Sequence, residues 1–267
     1  MSPQVIEGSS GGAHFRADLA HALDISIPLD FGGPQPSFFG APRASAEPLV
    51  SGDYVGDTRR GGSCNAEAYR LVPHCNGTHT ECVGHLTDER LVIRDIAAAL
   101  IVSRLITVQP HRARHGLQID EAALAGALGP ADPSRGTGLI VRTLPNDAGK
   151  RGRAYEGDSM PACFTTAAMA LVVELGVEHL LVDLPSVDPG YDGGRLAAHR
   201  VFWGLPPGSR RAAAASRRHA TITEMVYVPD EVHDGAYLLN LQVPPFMADA
   251  APSRPLLFPL VWLEYAP

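Results

Sequence analysis

The chain has 267 residues, 45% of them hydrophobic, and a formal net charge of −7. That length holds a sizeable core in one large domain, and mild acidity without a basic run excludes a surface that tracks a phosphate backbone. No stretch approaches the roughly 20 apolar residues of a membrane span, and four cysteines in so long a chain make no disulfide framework.

The opening MSPQVIEGSSGGAHFRADL lacks the apolar core of a signal peptide. Residues 1–20 are therefore expected to be a flexible tail on a cytoplasmic protein. LDISIPL (Leu23 to Leu29) alternates and stops at proline, as an edge strand does. DFGGPQPSFFGAPRASAEP then reads as a long loop, in which Phe38 and Phe39 are candidates for holding a ligand.

Next comes LVPHCNGTHTECVGH (Leu71 to His85), with three histidines, two cysteines and a glutamate in fifteen positions. On an extended strand Cys75, Gly77, His79 and Glu81 share one face, and His74, Asn76, Thr78 and Thr80 the other. A straight strand spreads Cys75 and Glu81 over about 20 Å, too far for one ion. Gly77 permits a sharp bend that brings thiolate, imidazole and carboxylate together, with the Thr78 hydroxyl placed to orient a ligand. Two plainer readings stand beside this one: ordinary polar loop residues, or a structural zinc site from Cys64, Cys75, Cys82 and a histidine, although no CxxC pair is present.

Downstream, IAAALIVSRLITVQ reads equally as helix or buried strand, and IDEAALAGAL has helical spacing behind an acidic start. GLIVRT (Gly138 to Thr143) reads as a buried strand, Pro161 to Gly176 as a helix with proline in its first turn, and His179 to Leu184 as a second strand. That order indicates a parallel pair joined by a right-handed crossover. The only lysine, Lys150, falls in a polar loop, which argues against Schiff-base chemistry. GGRLAAHRVFWG reads as a helix carrying His199, and an exposed insertion is expected around 205–218. TITEMVYV, AYLLNLQV and LLFPLVWLEY close the chain as strand-like runs. With no repeat and no linker, the expectation is α/β, one mixed domain over residues 21–267.

The residues from Cys75 to His85 resemble the cyclase family, which includes bacterial kynurenine formamidases and isatin hydrolases and carries His-x-Gly-Thr-His-x-Asp-x-Pro-x-His. Here the same spacing holds Cys75, Gly77, Thr78, His79, Glu81, Val83 and His85. DISIPL with FFGAP is similar to the family's opening, and Leu175 to Asp188 to its central strand and Asp-x-x-Ser-x-Asp signature. AAHRVFW and TITEMV stand where the family has its later histidine and glutamate.

The resemblance implies a swivelling β/β/α fold, a homodimer or larger assembly, and two divalent ions, commonly zinc, that hold a water against a carbonyl. Its ligand positions fall on Cys75, His79, the bridging Glu81, His199 and Glu224, and its proton carrier on His85; His74 is the alternative for the first position, although strand parity points it to the opposite face. Cysteine for histidine, glutamate for aspartate and valine for proline mark a divergent member, and a thiolate ligand would disfavour manganese. The implied activity is arylformamidase-like hydrolysis of a small amide, formamide or lactam C–N bond with one or two zinc ions, and the three departures predict weak or no turnover of formylkynurenine. The alternative is a non-catalytic small-molecule binder of the same fold.

Overall fold

A computed structural model describes residues 4–95, 100–114, 116–129 and 136–263. Among these, an 11-stranded sheet runs in the spatial order Val5–Ser10, Ala13–Asp18, Arg254–Leu263, Gly235–Gln242, Leu100–Val108, Gly138–Thr143, His179–Val182, Thr221–Glu224, His79–Glu81 and Ala250–Pro252. Leu23–Asp24 pairs off this path with Arg254–Leu263. The four strands from Leu100–Val108 to Thr221–Glu224 are parallel, and antiparallel pairs flank them on both sides. This is the expected mixed α/β fold.

Parallel strands buried on both faces read as continuous apolar runs, and Gly138–Thr143 shows why. Leu139 and Val141 pack with Met169, Phe202 and Trp203 of the helices, while Ile140 packs on the opposite face with Ile25, Leu105, Leu181 and Leu239. The run that reads equally as helix or strand is the strand Leu100–Val108; its first positions, 96–99, lie outside the described residues. Leu105 and Ile106 are buried on opposite faces of the sheet, a two-sided burial that local periodicity does not reveal.

Three helices cover one face. Glu121–Leu128 starts at Asp120, whose Oδ1 accepts from the Ala123 amide at 2.8 Å. The helix expected from Pro161 is shorter, Thr166–Glu174, because Thr165 caps it through Oγ1 to the Ala168 amide (3.1 Å) and Cys163–Phe164 pairs with Gln118–Ile119 instead. Ala197–Trp203 carries His199 and ends at Gly204, whose φ of 60° favours glycine. None of the described helices is long and apolar enough to cross a membrane.

One expectation is corrected. The segment read as a loose tail forms the hairpin Val5–Ser10 and Ala13–Asp18 and extends the sheet along Arg254–Leu263; residues 1–3 lie outside the described ones. Its Gly/Ser stretch is the hairpin turn, with Gly11 and Gly12 at φ 58° and 85°, and Phe15 buries its ring edge-on to Trp262. The segment around 205–218 is exposed at most of its positions, as expected, and is pinned to the body at a few. Ala212 and Ala215 are buried, the Ala212 amide donates to Glu89 Oε2 at 2.8 Å, and Arg217 lies over the Phe202 ring. LDISIPL contributes only Leu23–Asp24 and a single bridge at Ser26. Residues 264 and 265 of the last run lie outside the described residues. Lys150 is buried, with Nζ donating to Thr143 O, Thr143 Oγ1 and Asp183 Oδ2, so its amine is engaged within the core.

Candidate metal centre

The segment Leu71 to His85 folds as a helical turn, a short strand and a second turn. Pro73 starts the turn Pro73–Asn76, and Asn76 Oδ1 accepts back from the Val72 amide at 2.7 Å. Gly77 returns the chain to an extended path, and His79–Glu81 enters the sheet between Thr221–Glu224 and Ala250–Pro252. In that register His79 lies opposite Glu224. His79 and Glu81, two apart, share a face. Val83–Leu86 then turns back and carries His85 over Glu81.

The result is two triads that share one carboxylate. Ligand atoms of His79, Glu81 and Glu224 lie within 4.8 Å of one another, and so do those of His74, Glu81 and His85. The first triad is fully buried, and the second is open at its histidines. His79 Nδ1 is occupied by Gly77 O at 2.9 Å, which turns Nε2 toward Glu224 Oε2 at 3.4 Å. In the second triad His74 Nε2 and His85 Nδ1 stand 3.4 and 3.8 Å from Glu81 Oε2. Glu81 Oε2, His79 Nε2 and His74 Nε2 are buried yet make no hydrogen bond. Buried polar atoms are nearly always satisfied, and two orphaned imidazole nitrogens against carboxylates, with an orphaned carboxylate oxygen against imidazoles, fit bound cations.

Burial alone would raise the Glu81 carboxyl, but the charge of His85, the hydrogen bond and charge of His199 and the charge of His74 hold it down at about 2. His199 is placed by Asp188, whose oxygens accept from the Ala198 and His199 amides at 2.8 and 3.1 Å and from the His199 ring Nδ1 at 2.6 Å. His199 Nε2 donates to Glu81 Oε1 at 3.0 Å. Burial works against protonation of His199, and the bonds to Asp188 and Glu81 outweigh it, raising the imidazole well above its ordinary value.

Of the residues read from the sequence, the structure brings His79, Glu81, Glu224, His85 and His199 together. Cys75 is not brought into either triad. Its thiol is buried, pushed up to about 11 by burial and then by the charge of Glu224, and no cysteine joins a metal-holding group among the described residues. His74 takes its place, because residues 73–76 form a helical turn and the strand parity that pointed His74 away does not apply. Thr78 Oγ1 accepts from the Ile27 amide and donates to Met225 O, so it ties down the backbone beside Glu224 and touches no ligand. Phe38 is buried with Ile27, Tyr155 and Met225, so its ring is core; the adjoining Phe39 remains 60% exposed. The zinc site of Cys64, Cys75 and Cys82 does not form, Cys64 being exposed and the other two buried. Asp188 and Asp249 were not singled out as site residues. Asp188 lay within the family's Asp-x-x-Ser-x-Asp signature, whereas Asp249 carries no motif.

Cys75→Ser should accordingly leave metal affinity unchanged and cost stability, on the order of 1–3 kcal/mol for a buried hydroxyl without a matched partner. Metal titration beside thermal denaturation checks this, and loss of an ion would return the thiolate to the donor set.

The Cyclase family model matches residues 17–189, more than half of the chain. Similar solved structures include isatin hydrolase A from Labrenzia aggregata bound to benzyl benzoate (TM-score 0.60, 13% identity, 89% of this chain and 93% of that one). A predicted metal-dependent hydrolase from Bacillus stearothermophilus has a TM-score of 0.58 at 15% identity, over 89% of this chain and 98% of that one. Isatin hydrolase A from Ralstonia solanacearum has a TM-score of 0.54 at 14% identity, over 90% and 92%. No curated protein matches. At these identities the structural likeness is one of fold.

Proposed function

The chain belongs to the cyclase family, and from that premise and its site we propose that it is a metal-dependent hydrolase of a small amide, formamide or lactam C–N bond. The observation that carries the reading is Glu81, a buried carboxylate common to two donor triads. His79, Glu81 and Glu224 would hold an inner ion, and His74, Glu81 and His85 an outer one. Bound ions would supply Lewis acidity toward a carbonyl and make water more acidic. With Cys75 outside the donor set, imidazole and carboxylate suit zinc and also admit manganese.

The protein's own groups supply the rest. Asp188 fixes the His199 ring, and His199 Nε2 holds a proton shared with Glu81 Oε1. That chain is sealed from bulk solvent and takes the proton-carrying role that the resemblance gave to His85. Phe39 rests on Phe38, which packs on Met225 beside Glu224, and offers an exposed aromatic face to a substrate ring. The printed names of the similar structures include isatin hydrolases, which supports testing aryl lactams first.

The experiment is a panel of isatin-type lactams, N-formyl anilines including formylkynurenine, and cyclic imides. It is run on the purified protein before and after chelation and after return of zinc or manganese. Turnover that disappears on chelation and returns with metal supports the reading. A protein that binds metal and turns over no member would be a binding protein.

A further inference from the structure

We propose that Asp249 is a ligand of the outer ion, completing with His74, Glu81 and His85 a four-donor position that holds its ion less firmly than the inner one. This rests on the reading of the site as a two-ion centre. Asp249 Oδ2 lies 3.0 Å from His74 Nε2 and 3.5 Å from His85 Nδ1. Glu81 Oε2 lies 3.4 and 3.8 Å from the same two nitrogens. In a tetrahedral site with bonds of about 2.1 Å, neighbouring donors are about 3.4 Å apart. Four edges between two histidines and two carboxylates cluster around that length.

At His74 Nε2 and Glu81 Oε2 these approaches lack hydrogen-bond geometry. His74 Nε2 and Glu81 Oε2 have no hydrogen-bond partner although carboxylate and imidazole stand against them. The atoms face a common centre.

The backbone delivers Asp249 to this place. Ala250 pairs opposite Glu81, the Cys82 amide donates to Asp249 O at 3.0 Å, and the Ile93 amide to Ala248 O at 2.8 Å. Gly84, next to His85, leaves room for the approach: a Cβ there would stand 3.1 Å from the Asp249 Cβ and 2.2 Å from Leu91 O. A carboxylate is thus held in the gap over two stacked imidazoles, His74 and His85, with centroids 4.5 Å apart.

Exposure separates the two positions. The side chains of His74, His85 and Asp249 are 25%, 28% and 33% exposed, against 0% and 4% for His79 and Glu224. The outer ion faces solvent and an incoming substrate, and a chelator reaches it first.

The test is zinc stoichiometry and affinity, with no substrate present. The unmodified chain, loaded with zinc and dialysed, should hold two ions and release them to a chelator in two steps, the weaker first. Asp249→Asn keeps the shape and removes the charge. It should hold one ion under the same conditions, its outer affinity falling on the order of tenfold or more. Asp249→Ser should do the same and serves if the asparagine variant does not fold. Two ions held at unchanged affinity by a folded Asp249 variant overturns this proposal alone. No ion in the unmodified chain overturns it together with the two-ion reading.

Discussion

Glu81→Gln should empty both metal positions and abolish hydrolysis. The glutamate is fully buried and shared by both donor triads, and no other described residue stands in both. A neutral amide keeps the shape but offers one weaker acceptor oxygen and no charge. Replacing a residue that only orients a ligand typically costs 10–100-fold in metal affinity. Loss of a carboxylate common to two ions should exceed roughly 100-fold for each. Metal analysis after dialysis, with circular dichroism to confirm the fold, reads the result. A folded variant that keeps both ions would remove Glu81 from the centre and the bridging role with it.

His199→Gln should separate proton transfer from metal binding. In the structure His199 Nδ1 is tied to Asp188 and Nε2 to Glu81, the arrangement of an oriented proton carrier. Removal of such a group typically lowers turnover by about 10²–10⁴-fold. The fall should appear in kcat with KM little changed, and both ions should stay. His85→Ala, by contrast, should lose the outer ion, since His85 faces Glu81 and Asp249. If His199→Gln loses an ion and His85→Ala keeps both, the two histidines return to the roles that the family resemblance assigns.

Much of the candidate centre was legible because the residues that converge there cluster in sequence. His79 and Glu81 sit two apart on one strand, and His85 follows within one turn. The parallel core was legible for a related reason, since GLIVRT and HLLV are apolar on both faces. His74 stood only as the alternative to Cys75, because side-chain direction was taken from a strand where the chain makes a helical turn. Pro73 at the first helical position, with Asn76 reaching back to Val72, is the local signal that could have shown it.

Asp249 had no such signal. It comes to the site because Ala250–Pro252 chooses the edge of His79–Glu81, a pairing fixed by tertiary packing and not by nearby residues. The N-terminal hairpin is of the same kind. Its strands are polar on one face, and the apolar face of Arg254–Leu263, with Leu238 of the next strand, gives Phe15 and Ala17 a place to bury. The proposed exchange of roles between His85 and His199 turns on Asp188, eleven residues before His199, whose oxygens accept from the Ala198 and His199 amides and from the His199 ring.

Crystals of the zinc-loaded protein, measured on both sides of the zinc absorption edge, test the central claim most directly. Two anomalous peaks should flank the Glu81 carboxylate, one among His79 and Glu224 and the other among His74, His85 and Asp249. A fully loaded crystal with no peak beside Glu81, or with its zinc bound at Cys75 and away from both triads, would contradict the account.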